Sequence, residues 1–106
     1  MGTFDDREKG FEAKHVHDEQ TQFKIGARRN KLLGLWAAEL MGMGKDQADA
    51  FAREVVSADF DEAGDEDVYR KVAGDLTARK IEITEHRIRR KMVELLEVAR
   101  EQVLKG

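Results

Sequence analysis

Ile83-Thr84-Glu85-His86-Arg87-Ile88-Arg89-Arg90-Lys91-Met92-Val93-Glu94-Leu95-Leu96-Glu97-Val98-Ala99-Arg100-Glu101-Gln102-Val103-Leu104 is the stretch that decides the fold class. Ile88, Met92, Leu95, Leu96, Ala99 and Val103 recur at the spacing of an α-helix, not of a strand. Thr84 stands at the N-cap, where a hydroxyl accepts a hydrogen bond from an otherwise unpaired backbone N–H. Ile83 before it and Ile88 after it occupy the N′ and N4 positions of a hydrophobic staple. A helix from about Thr84 to Leu104 with one apolar face needs other elements to cover that face.

Working upstream, three more segments carry the same period. From about Thr21 to Met41, Ile25, Leu32, Trp36, Leu40 and Met43 fall close to one face, flanked by Leu33, Ala37 and Met41. That places Trp36 in the core, and Gly42 and Gly44 end the helix. From about Asp46 to Asp61, Ala48, Phe51, Ala52, Val55, Val56 and Phe60 form a narrow stripe, with Asp46 as N-cap and Gly64 as the breaker. From about Asp65 to Ala78, Val68, Tyr69, Val72, Ala73 and Leu76 are the buried face. Asp65, Glu66 and Asp67 lie where the helix dipole favours negative charge. The connections are short, and no strand-like alternation of any length interrupts them. The expected architecture is all-α, an antiparallel four-helix bundle over residues 21–106.

Composition agrees. Of the 106 residues, 41% are hydrophobic and 39% charged, and the two kinds interleave as amphipathic helices require. No apolar run approaches the roughly 20 residues needed to cross a bilayer. The start, Met1-Gly2-Thr3-Phe4-Asp5-Asp6, has none of the layout of a signal peptide. There is no cysteine, so disulfides and thiolate metal sites are excluded, and no proline, so glycine supplies the breaks. A net charge of -3 argues against nucleic acid as partner. Charge is uneven: residues 44–78 hold ten acidic and four basic side chains, whereas residues 79–106 hold eight basic and five acidic.

Residues 1–20 do not share the core pattern. Thr3 caps a helical start with Asp5, Asp6 and Glu8 in its first turn, and Phe4 and Phe11, seven apart, share a face. Apolar residues are otherwise scarce, and Gly10 costs about 1 kcal/mol relative to alanine. Burying two phenylalanines returns about 1.5–3 kcal/mol each, while ordering each backbone residue costs about 1–2 kcal/mol. The segment is therefore expected to be a mobile arm in the free protein and a helix anchored by Phe4 and Phe11 on a partner.

Other constellations carry less. His15, His17 and Asp18 offer metal-binding atom types, but side chains two apart on a helix diverge by about 200°, so no metal site is expected. His86 with Glu82 and Glu85 lacks a neighbouring nucleophile, and no catalytic residues are expected. Arg28, Arg29 and Lys31 form one basic cluster; Arg87, Arg89, Arg90 and Lys91 form another. Without a glycine-rich loop their default role is a solvated helix face. The alternative is a weak phosphate or nucleotide site between the two basic helices.

Four blocks, in order, resemble one family. They are Thr3-Phe4-Asp5-Asp6-Arg7-Glu8-Lys9-Gly10-Phe11-Glu12, then Ala27-Arg28-Arg29-Asn30-Lys31-Leu32-Leu33-Gly34-Leu35-Trp36-Ala37-Ala38, then Ala58-Asp59-Phe60-Asp61-Glu62-Ala63-Gly64-Asp65-Glu66-Asp67-Val68, and Glu85-His86-Arg87-Ile88-Arg89. The chain is similar to the zeta subunit, an inhibitor of the F-type ATP synthase of alphaproteobacteria. The Met41–Gly44 turn and the Leu76–Ile81 connection depart from the resemblance. It implies a four-helix bundle with a mobile inhibitory arm, not an enzyme. The arm would enter an interface between catalytic and non-catalytic subunits of the synthase head, reach toward the rotor and stop hydrolytic rotation. Phe4 and Phe11 would anchor it; Arg7, Lys9 and Lys14 would meet acidic groups, and Asp5, Asp6, Glu8 and Glu12 basic ones. The resemblance further implies a monomer when free, and a cytoplasmic location peripheral to the inner membrane through the synthase. It implies no required cofactor, with weak ADP or ATP binding in some members; Arg28, Arg29, Lys31, Arg87, Arg89 and Arg90 are the residues to hold it.

Overall fold

The computed structural model describes the backbone of residues 2–58 and 65–105, and the side chains of residues 19–58 and 65–105. Four helices follow one another: α1 (Gly2–Leu40), α2 (Lys45–Ser57), α3 (Glu66–Ala78) and α4 (Glu85–Lys105). No strand occurs among the described residues.

α1 is longer than the periodic core pattern. Its helical backbone runs 39 residues, about 58 Å at 1.5 Å per residue, against 21 residues for α4. The apolar stripe beginning near Thr21 marks only its downstream half. Upstream the chain holds no proline, and a single interior glycine, Gly10, does not end the helix. The expected mobile arm falls mostly on residues whose side chains lie outside the described ones. So do Phe60, Asp61 and the breaker Gly64, assigned to the end of the second helix.

The helix ends follow local chemistry. Gly42 takes a φ of +73°, and behind it the Met43 N–H reaches the Ala38 carbonyl at 3.0 Å while the Gly42 N–H reaches Glu39 at 3.1 Å. This is a Schellman stop, with glycine at the left-handed position as the sequence indicates. The same motif closes α3, where Ile81 N–H bonds the Leu76 carbonyl at 2.9 Å, but the left-handed residue is Lys80, at φ 62°. At the start of α4 the Arg87 N–H donates to Thr84 Oγ1 at 3.1 Å, so the expected cap is present. Asp46 is not the cap of α2. Gly44 is, in extended conformation, and its carbonyl accepts the Ala48 N–H at 2.8 Å. The turn at Gly42 is complete by Met43, so the helix starts before Asp46, which lies in the first turn instead.

All four helices feed one core: Leu33, Ala37 and Ala38 from α1, Phe51 and Val55 from α2, Val68, Val72 and Leu76 from α3, Ile88 and Met92 from α4. The faces expected on α2, α3 and α4 are the buried ones. On α1 the buried line is rotated by about one residue. Ile25, Leu33, Ala37 and Ala38 are buried, whereas Leu32 and Trp36 are half-buried and Leu40 is 37% exposed. The cause is Gly34. A Cβ there would stand 2.7 Å from the Ala52 Cα, so α1 and α2 approach backbone to backbone at this point. That contact turns the Gly34 side of α1 inward and leaves Trp36 at the core's edge.

Candidate functional site

The residues expected to bind a partner, Phe4, Asp5, Asp6, Arg7, Glu8, Lys9, Phe11, Glu12 and Lys14, all belong to α1. Their side chains lie outside the described residues. What the structure places is the platform: the same helix continues without interruption into the core at Ile25, Leu33 and Ala37.

Beside that platform the first basic cluster splits three ways, because successive helical residues diverge by about 100°. Arg29 turns inward. It is buried, donates from Nε to Asn30 Oδ1 at 2.7 Å, and donates from Nη2 to Asp65 Oδ1 at 2.6 Å. Arg28 reaches α4, where Nη1 donates to Gln102 Oε1 at 3.5 Å. Lys31 stays exposed, with Asp49, Ala52, Arg53 and Val56 of α2 around the depression beside it.

The second cluster is largely neutralised on its own side of the molecule. Arg89 donates to Glu85 at 2.8 Å and to Glu66 at 3.0 Å, and its guanidinium carbon lies 4.1 Å from the centre of the Tyr69 ring. The hydrogen bond to Glu85 is the main reason its pKa is raised further. Arg90 and Lys91 both approach Glu94, at 3.5 and 3.4 Å, and the Lys91 ammonium stands 5.7 Å from the centre of Trp36. Arg87 is exposed and joins Trp36, Arg90, Lys91 and Glu94 around a depression of about 330 Å³.

α1 and α4 run antiparallel, with Arg28 beside Gln102 and Trp36 beside Lys91. Arg87 and Gln102 are separated by about 22 Å along α4. Arg28 and Lys31 therefore sit toward one end of the α1–α4 seam and Arg87 and Arg90 toward the other, whereas Arg29 and Arg89 reach consecutive residues, Asp65 and Glu66, at the foot of α3.

A feature the sequence pattern did not single out lies at the arm side of the bundle. Phe23 is 66% exposed. It lies beside Lys24, Ala27, Arg28, Lys31, Val56 and Val103 along an open groove of about 540 Å³. Phe23 is two residues from Ile25, and this off-stripe position was its one legible signal. Among the described residues, no group of three or more histidine, cysteine, aspartate or glutamate side chains is placed to hold a metal ion. Nor is any helix there long and apolar enough to cross a membrane.

Comparison with known proteins places this geometry in a family. A protein solved by solution NMR is 52% identical, superposes with a TM-score of 0.71, and the match covers 79% of this chain and 95% of that one. No match is found among the curated proteins. The family model described as ATPase inhibitor subunit zeta matches residues 1–102, arm and bundle together. The chain therefore belongs to the ATPase inhibitor subunit zeta family.

Proposed function

We propose that this protein inhibits ATP hydrolysis by an F-type ATP synthase by inserting residues 1–20 at a catalytic interface of the synthase head. The observation that carries the reading is the continuity of α1 from Gly2 to Leu40. Force applied to an inserted arm would pass along one helix into the core at Ile25, Leu33 and Ala37, with no flexible joint to relax it. The family match begins at residue 1 and so includes the arm. On this reading the protein is a regulator rather than a catalyst. It works as a monomer and meets the membrane only through the synthase. Phe4 and Phe11 anchor the arm, while the charged residues between them meet complementary groups on the catalytic and non-catalytic subunits. The test is hydrolysis by the cognate head with the full chain and with a chain lacking residues 1–20. The full chain should inhibit and the shortened one should not; inhibition by both at equal concentration refutes the arm.

A second reading, weak ADP or ATP binding, is favoured by the half-buried Trp36 with Arg87 and Arg90 around one depression. An adenine ring stacked on the indole would leave its phosphates toward the guanidinium groups. Chemical-shift titration with ADP tests it. Shifts confined to Trp36, Arg87 and Arg90 support it, and none at millimolar ADP removes it.

A further inference from the structure

α1 carries a second stripe besides the one it buries. Lys24, Ala27, Arg28 and Lys31 recur at i, i+3, i+4 and i+7, so they share one face, and Phe23 adjoins its upstream edge. α2 closes this face with Val56, and α4 closes it with Val103. The result is a groove in which Phe23, Ala27, Val56 and Val103 lie beside three cations and Gln102. Among the described residues no carboxylate lines the groove, and neither Lys24 nor Lys31 forms an ion pair. The Arg28 contact is with neutral Gln102, which leaves its charge uncompensated. The chain as a whole carries a net charge of -3, so a basic spot of this density is against the trend of the molecule.

An exposed phenylalanine beside cations that share their groove with no carboxylate has the make-up of a contact surface: an aromatic anchor with a charged rim. Its position names the occupant. Phe23 lies three residues beyond Gln20, about 4.5 Å farther along the same helix axis. Whatever surface receives residues 1–20 meets this groove next. We infer that the groove at Phe23, Lys24, Arg28 and Lys31 is a second docking surface for the synthase head, receiving an acidic patch that carries an exposed apolar side chain. The inference rests on the proposed arm insertion and adds a contact at the mouth of that interface. Its work is to slow dissociation of the inserted arm and to steer approach by charge, so it weakens as salt screens it.

The experiment compares three full-length chains in hydrolysis by the cognate head, at low and at physiological salt. They are the natural sequence, the variant Phe23→Ser/Lys24→Glu/Lys31→Glu, and the control Val93→Ser. Val93 is 67% exposed on α4 and does not line the groove. The groove variant should raise the inhibition constant by about tenfold, mostly through faster dissociation, and flatten its salt dependence. The control should leave both unchanged. If the natural sequence does not inhibit, arm insertion itself fails and this surface with it. If it inhibits and the groove variant matches it within twofold, the second surface is refuted while the arm survives. A fall in Tm of the free variant with unchanged inhibition means the chain covers its own groove. A dimer of the natural sequence that the variant dissolves, seen by sedimentation, assigns the groove to a second copy. Either of those outcomes overturns the inference.

Discussion

Arg29 Nη2 lies 2.6 Å from Asp65 Oδ1, joining a guanidinium buried within α1 to a carboxylate at the foot of α3 whose side chain is 55% exposed. The pair fastens the start of α3 to the longest helix. It also occupies the Asp65 side chain, which makes no hydrogen bond as cap of its own helix.

Removing the partner leaves the buried charge unbalanced. Asp65→Asn should destabilise the protein by about 2 kcal/mol, at or below the low end for a broken buried pair, because the carboxylate is half in water. Arg29→Met/Asp65→Asn should cost less than the sum of the two single changes. Urea unfolding of the four proteins in the cycle measures the difference, and strict additivity would mean the two groups are not coupled.

Gly34 and Gly74 should respond oppositely to alanine. At Gly34 the new methyl would meet the Ala52 Cα at 2.7 Å, and backbone cannot step aside, so Gly34→Ala should cost about 1–3 kcal/mol. At Gly74, within α3, nothing lies within 4 Å, and Gly74→Ala should stabilise by about 0.5–1 kcal/mol. Thermal unfolding of both variants checks the pair.

Lys80 holds a left-handed backbone at φ 62°, where an L side chain crowds its own carbonyl. Lys80→Gly should raise stability by up to about 1 kcal/mol, the smaller side of the range reflecting the greater freedom of glycine in the unfolded chain. Gly42→Ala, at φ 73°, should lower it by a similar amount. A Tm that moves the same way for both substitutions contradicts this account.

Lys71 gives stability a pH dependence at the alkaline end. The Asp75 carboxylate, 2.8 Å away, and a hydrogen bond to Glu54 hold its ammonium above its ordinary pKa of 10.5. The folded state favours the charged form, so the stabilisation is complete below pH 10.5 and is lost as pH rises through the folded value. Lys71→Met should therefore show a shallower loss of stability above pH 10.5 than the natural sequence. Equal slopes in denaturant titrations across that window would exclude the linkage.

In the arm, Phe4→Ala or Phe11→Ala should weaken inhibition of hydrolysis by about tenfold or more, whereas His17→Ala should leave it nearly unchanged. Inhibition constants measured on the cognate head decide between specific anchoring and a diffuse contact.

Much of the bundle is legible in the sequence. The stripes Phe51–Ala52–Val55, Val68–Val72–Leu76 and Ile88–Met92–Ala99 are the buried faces because a short amphipathic helix has only one apolar side to offer. Gly42 and Thr84 were readable because helix ends are settled within one turn, by a left-handed glycine and by a hydroxyl cap. α1 was harder. Its apolar residues are broad enough to allow either Trp36 or Leu33 at the centre, and a period cannot choose between them. Arg29 reads in the sequence as a surface cation, and nothing local announces that Asp65, far along the chain, will compensate it.

The alternation of apolar and charged residues, the missing prolines and the placement of Gly42 and Thr84 determined four helices and their junctions, since these depend on neighbours within a turn. Only the tertiary structure decided which side of α1 faces inward, how Arg29 is balanced, and that Phe23, Val56 and Val103 share a groove rimmed by Lys24, Arg28 and Lys31. Those outcomes rest on the close approach of α1 to α2 at Gly34 and on the antiparallel register of α1 with α4. Each is a contact between residues distant in the chain, and helical periodicity carries no information about which residues meet across a seam.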